Sequence, residues 1–259
     1  MNSQLLTPNS QLQFIDTHCH IHEADYSLPV DDVLKRASDA GVGKMICVGT
    51  SEQSSAEAIQ FAGRHDGIFA AVGVHPHDTK DGYAKITEFA KQGVVAIGEI
   101  GLDYYYNHSP RDVQMKALEA QIQVALDNNL PIIFHVREAF DDFWSLFDNF
   151  HGIRGVLHSF TDTQSNLDKA FERGLYIGVN GISTFTKDPA QQKLYANIPL
   201  ERMLLETDAP FLTPTPYRGT INEPAYVSEV AKHHAAIRGI LVEDVAVATT
   251  TNATTLFAI

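Results

Sequence analysis

The side chains best suited to chemistry in this 259-residue chain are histidines and carboxylates that end short apolar runs. His18 and His20 stand two apart in F-I-D-T-H-C-H. Side chains at i and i+2 of a strand point the same way, so this pair forms a divalent-metal chelate at a strand end. Taken alone, it reads more readily as two exposed histidines, since strand-end histidines are common. Glu99 lies between Gly98 and Gly101 in V-V-A-I-G-E-I-G-L-D, at the C-terminal end of a run that reads as a buried parallel strand. A glutamate is almost never fully buried unless it is paired or holds a metal. His135 ends I-I-F-H, His158 ends G-V-L-H, and Asp208 follows L-L-E-T. Six ligand-type residues therefore end five apolar runs. Four imidazoles and two carboxylates suit a pair of borderline divalent ions such as Zn, Mn or Co.

Other polar residues gather around these. Glu206 and Asp16 share faces with Asp208 and His18 one layer deeper, and read as groups that orient ligands. Arg137, two beyond His135, points into the same mouth, toward a phosphate or toward a loop carboxylate. His75 and His77, around Pro76, reach a substrate phosphate or cap a loop. Tyr104 to Tyr106, Phe185 and Tyr217 offer rings for base stacking, although aromatic residues in loops ordinarily pack. His65, His108, His151, His233 and His234 fall away from strand ends and read as surface.

The elements that position these residues alternate strand and helix. Strands are expected over Phe14–His20, Lys44–Gly49, Ile68–Val74, Val94–Ile100, Pro131–Val136, Gly155–Phe160, Leu175–Val179 and Arg202–Thr207. Helices are expected over Val30–Ala40, Ser54–Arg64, Gly82–Gln92, Arg111–Asn128, Ala139–Phe147, Gln164–Arg173 and Pro189–Ala196. Two more follow the last strand, over Pro224–Arg238 and Val242–Ala258. Eight strand-then-helix units predict a single α/β domain, a (β/α)8 TIM barrel over residues 14–259, with residues 1–13 as a flexible lead-in. Such barrels carry their chemistry at the C-terminal ends of the strands, where the six candidates fall. The other architecture considered, an open doubly wound sheet, lacks a G-x-G-x-x-G after the first strand.

Composition narrows the function. No apolar run approaches the roughly 18 residues of a membrane span. Met1 to Gln13 lacks the layout of a secretory signal, and only Cys19 and Cys47 are present, both inside expected strands. This suits a reduced, cytoplasmic compartment with no disulfide framework. The formal net charge is −13, from 19 basic and 32 acidic residues. Nucleic-acid binding rests largely on neutralisation by Lys and Arg, so any phosphate recognition here must be local.

Five segments in order resemble the TatD family of metal-dependent deoxyribonucleases. They are Asp16-Thr17-His18-Cys19-His20, Gly73-Val74-His75-Pro76-His77, Gly98 through Tyr104, His158-Ser159-Phe160-Thr161 and Glu206-Thr207-Asp208-Ala209-Pro210. Arg218-Gly219, Asn222-Glu223-Pro224 and the late Asn252-Ala253 are similar as well. The resemblance implies a two-metal hydrolase barrel. His18 and His20 would bind one ion with Asp208, His135 and His158 the other, and Glu99 would bridge. The ions, Mg, Mn or Zn, would activate a water against a phosphodiester, with Glu99 and Asp208 as the catalytic carboxylates. Asp208 would accept the water proton, while His75 and Arg137 would bind substrate phosphate, which fits an exonuclease acting on single-stranded or frayed DNA ends. No membrane and no obligate protein partner is expected. Asp162 departs from the family pattern, which usually has Gly there, and the segment before Phe14 is unmatched. Within the same superfamily, the competing reading is hydrolysis of a small amide, ester or lactone. A non-enzymatic barrel is the third, and six intact ligand positions weigh against it.

Overall fold

The eight apolar runs form eight parallel strands in one sheet, ordered as they occur in the chain. A computed structural model describes residues 12–259, so the expected lead-in lies outside the described residues except for Leu12 and Gln13. The strands are β1 Phe14–Cys19, β2 Val42–Val48, β3 Ile68–Val72, β4 Ala96–Asp103, β5 Ile132–Arg137, β6 Gly155–Leu157, β7 Tyr176–Val179 and β8 Met203–Leu205. The ring closes just past β8, where Cys19 bridges Ala209 in parallel. The His20 N–H donates to the Ala209 carbonyl at 2.7 Å, and the Asp208 N–H to the His18 carbonyl at 2.8 Å. The closing seam is thus built from candidate ligands.

The helices are α1 Val30–Asp39, α2 Glu52–Ala62, α3 Ile86–Phe89, α4 Arg111–Asp127, α5 Phe140–Phe147, α6 Gln164–Glu172, α7 Ile182–Phe185, α8 Pro189–Asn197, α9 Val227–Arg238 and α10 Val242–Phe257. Their starts follow local chemistry. Ser51 caps α2 through the Ser54 N–H, Thr163 caps α6 through the Asn166 N–H, and Asp188 caps α8 just before Pro189. Gly239 ends α9 in the left-handed region, at φ 65°.

Two apolar layers hold the barrel. The larger packs helices on the sheet and includes Cys19, with its Sγ against the Ile46 carbonyl, so this thiol is core as its place between two inward histidines implies. The smaller gathers Ile15, Ile46, Val48, Ala71, Ala96, Ile133, Val156 and Leu204, into which α10 packs Ala253, Leu256 and Phe257. Residues from seven strands meeting in one cluster make it the barrel interior.

Three differences from the sequence expectation bear on the site. The helix expected over Gly82–Gln92 shrinks to a 3-10 turn at Thr79–Asp81 and the four-residue α3, because Gly82 adopts φ 110°. The short α7 is an added element. Most consequential, β4 runs past Ile100 to Asp103, and its ladder with β5 slips between Ile97 and Ile100. Gly98 and Gly101 permit this. A Cβ on Gly98 would stand 2.5 Å from the Ile133 Cβ, and one on Gly101 would run into the His135 carbonyl oxygen. Glu99 leaves the β5 ladder, its N–H bonding the Gly49 carbonyl at 3.0 Å.

Candidate metal centre

All six sequence-derived ligand candidates converge inside the barrel mouth, and His75 joins them. Three overlapping groups have ligand atoms within 4.8 Å of one another: His18–His20–Asp208, His18–Glu99–His158 and His75–Glu99–His135. Glu99 lies at the middle. Its Oε2 is 3.4 Å from His18 Nε2, while its Oε1 is 2.9 Å from His135 Nδ1, 3.7 Å from His75 Nε2 and 3.8 Å from His158 Nε2. Asp208 Oδ1 is 3.4 Å from His20 Nε2, 3.5 Å from His158 Nε2 and 3.6 Å from His18 Nε2. Asp208 itself adopts φ 60°, a left-handed conformation that Asp tolerates and that sets it just after β8.

Three imidazoles have the far nitrogen against an oxygen, by a hydrogen bond at His20 and His135 and by an ion-pair contact at His158, which leaves the near one aimed inward. His20 Nδ1 lies 2.8 Å from the Val48 carbonyl, which can only accept, so Nδ1 carries the proton and Nε2 presents a lone pair. His158 Nδ1 lies 3.0 Å from Glu206 Oε1, and His135 Nε2 lies 3.0 Å from Asp103 Oδ2. Glu206 is therefore the orienting group the sequence suggested, acting on His158. Asp16 works on backbone rather than on a ring: its carboxylate accepts from the His18 N–H at 3.3 Å and from the Thr207 N–H and hydroxyl at 2.9 and 2.5 Å, which holds the segments that carry His18 and Asp208. Burial raises the pKa of Asp16 to about 7.

Asp103 joins this cluster although sequence reasoning left it without a role. Its Oδ2 meets His135 and, at 3.1 Å, His77 Nε2, while its Oδ1 accepts from the Tyr106 N–H at 2.9 Å. The signal was present: Asp103 is four beyond Glu99, on the same face of a strand that continues. The Val48 carbonyl, being backbone, had none.

The electrostatics mark a site built for cations. Burial would raise the Glu99 pKa, yet His158, His75 and the bonds from His135 and His18 hold it well below the usual range. Burial would lower His20, but Asp208 beside it, with Glu99 and Glu23, lifts it to about 9. Burial would likewise lower His158, but Glu206 and Glu99 lift it to about 10. The carboxylates thus favour positive charge at the His20 and His158 Nε2 atoms, carried by a proton or by a metal ion that would take its place on the lone pair; His18 Nε2 and His20 Nε2 are only 3.1 Å apart. Nitrogen and oxygen donors set this close fit divalent metal ions of the borderline class.

Comparison with known proteins fits the same chemistry. The family pattern described as TatD related DNase matches residues 15–258. The chain belongs to the TatD-related DNase family. It is 36% identical over 251 residues to the uncharacterized metal-dependent hydrolase YabD of Bacillus subtilis, covering 94% of this chain and 98% of that protein. It is 37% identical over 241 residues to the 3'-5' ssDNA/RNA exonuclease TatD of Citrobacter rodentium, covering 88% and 92%. The crystal structure of YJJV, a TatD homologue from Escherichia coli K12, superposes with a TM-score of 0.88 at 29% identity, over 96% of this chain and all of that one. As a TatD-family member, the protein is a metal-dependent hydrolase acting on ester bonds.

The remaining candidates settle differently within this TatD-type barrel. His75 faces Glu99 with its charged form disfavoured by burial and by His135. The Arg137 guanidinium pairs with no carboxylate among the described residues and lies over Tyr105, 4.0 Å from the ring centroid. Asp162 turns its carboxylate to the Thr163 N–H and to Asn166 Nδ2, at 2.7 and 2.6 Å, and so serves the start of α6. His234, read as surface, is fully buried, and His108 stands at the mouth, stacked on Tyr106. No helix among the described residues is long and apolar enough to cross a membrane.

Proposed function

We propose that this protein is a two-metal exonuclease that removes nucleotides from single-stranded DNA ends, with the 3′ polarity named for its exonuclease relatives. The observation that carries the reading is the convergence of four strand-end imidazoles on two carboxylates, three of them with their outer nitrogen tied. His18, His20 and Asp208 would hold one divalent ion, His135 and His158 the other, and Glu99 would lie between. When bound, such ions supply Lewis-acid charge to a phosphoryl oxygen and lower the pKa of water.

The chain's own residues do the rest. Water adds to phosphorus, the bond to the leaving ribose oxygen breaks, that oxygen takes up a proton from solvent to become a hydroxyl, and a nucleoside monophosphate departs. Asp208, whose side chain keeps 14% of its surface open, takes the water proton, and Glu99, at 5%, is shielded from solvent. Asp103 and Glu206 fix the rings of His135 and His158, so the donor set is organised before substrate arrives. Arg137 at the rim and His75 beside Glu99 steady phosphate oxygens. Metal content of the purified protein, with product analysis on end-labelled DNA, tests this reading: two ions per chain and mononucleotide products support it. The net charge of −13 favours one rival, hydrolysis of a small amide, ester or lactone. Metal uptake with turnover of such substrates, and none of DNA, would establish that rival.

A further inference from the structure

The mouth carries exposed rings on two opposite lips. Tyr104 turns inward, its hydroxyl donating to Asp142 at 2.8 Å and its ring under Arg111, but Tyr105 and Tyr106 stand 53% and 51% exposed. They are not loose, because the Tyr106 N–H is held by Asp103 and its ring meets His77 edge-on at 5.4 Å. Arg137 lies over both rings, 4.0 and 4.8 Å from their centroids. Across the barrel, four strands away in the ring order, Phe211 is 59% exposed three residues after Asp208, its N–H bonded to the Asp208 carbonyl at 2.8 Å. Large rings half bare beside the mouth, on backbone anchored to Asp103 and Asp208, are placed to cover something flat.

We infer that Tyr105 and Tyr106 with Arg137 on one lip, and Phe211 on the other, form a base-stacking clamp for the terminal nucleotides of a single strand. The inference rests on the nuclease reading and names how that substrate is gripped. Three observations select the occupant. A chain of rings, His75 to His77 to Tyr106 to Tyr105, leads outward from Glu99 with centroids 4.3, 5.4 and 4.8 Å apart. The Arg137 guanidinium, unpaired with any carboxylate among the described residues, offers N–H groups to a phosphate beside a stacked base. The net charge of −13 removes long-range attraction for a polyanion, so affinity must come from stacking more than from counterion release. A duplex keeps its base faces covered; a single strand presents them.

The test measures binding of fluorescein-labelled octathymidylate and of an abasic octamer with the same phosphates, using the full chain with Asp208→Asn to prevent cleavage. The bases should strengthen binding by tenfold or more, with a salt slope of only about one to two, at about 0.7 per phosphate neutralised. Tyr105→Ala and Phe211→Ala should each cost about tenfold on octathymidylate, while Tyr105→Phe and Phe211→Trp retain it. Leu241→Ala, an exposed residue just ahead of α10, should change nothing. Equal affinity for the two octamers, in a protein that degrades DNA, would overturn the clamp alone. No binding of either octamer, and no hydrolysis of DNA by the unmodified metal-loaded protein, would overturn the nuclease reading and the clamp together.

Discussion

His158 and His234 are both buried histidines with polar neighbours, and they do opposite work. His234, on α9, has both ring nitrogens engaged: Nε2 lies 3.1 Å from the Ser183 hydroxyl and Nδ1 lies 2.8 Å from Arg238. Arg238 then donates to the carbonyls of Tyr195 and Ile198, so the network ties α9 to α7 and α8. Nothing is left over for a ligand. His158 has Nδ1 against Glu206, but its Nε2 faces Asp208 and Glu99 in company with three other imidazoles. Burial and nearby Arg238 hold His234 uncharged, whereas carboxylates push His158 toward the charged form. A structural histidine closes its own hydrogen bonds; a ligand keeps one nitrogen for something the chain does not supply.

The largest expected effect that would sharpen this contrast is at the mouth. Asp208→Asn should lower kcat by about a thousandfold, within the range for a lost general base, with an unchanged circular dichroism spectrum. Activity within a few fold of normal would remove Asp208 from the reaction. Next come the groups that tie the ligand rings. Asp103→Asn and Glu206→Gln should each weaken metal affinity by about ten- to a hundredfold, read by competition with a chelator. An unaltered metal affinity would reduce both carboxylates to packing. On the other side of the comparison, His234→Ala should cost about 2 kcal/mol of stability through lost packing and unpaired polar groups, seen as a lower urea midpoint. Metal content and kcat of the folded His234→Ala protein should be unaffected, and a loss of bound metal would break the distinction drawn here. The smallest effect is at Asp162, whose carboxylate serves α6; Asp162→Gly should cost about 1 kcal/mol through its two lost hydrogen bonds and leave turnover within about twofold.

Most of the barrel was legible because each strand is a short apolar run, and five of the eight runs end in a histidine or a carboxylate. His18, His20, Glu99, His135, His158 and Asp208 stood out for the same reason: a histidine or carboxylate at the end of an apolar run has few uses. What escaped did so for local causes. Asp103 looked like loop because Gly101 reads as a strand end, yet the glycine lets β4 press on His135 and continue. His234 was placed on the surface although Val227, Val230 and Ala231 precede it at helical spacing, which puts it on the buried face of α9. Asp16 was legible as a group near His18, but not that it would act through the backbone N–H groups of His18 and Thr207, because the slip in β1 breaks the simple alternation. Tyr105 and Tyr106 read as packing, since exposure of a loop ring depends on neighbours that sequence does not reveal.

The most direct test of the central claim is hydrolysis of end-labelled single-stranded DNA by metal-stripped protein, with Mg, Mn or Zn added back. The arrangement of Glu99 and Asp208 among four imidazoles predicts no activity in the stripped protein and metal-restored release of mononucleotides, absent in Glu99→Ala. Silence with every metal, in protein shown to bind two ions, would contradict the nuclease reading and leave a metal-dependent hydrolase of smaller esters or amides.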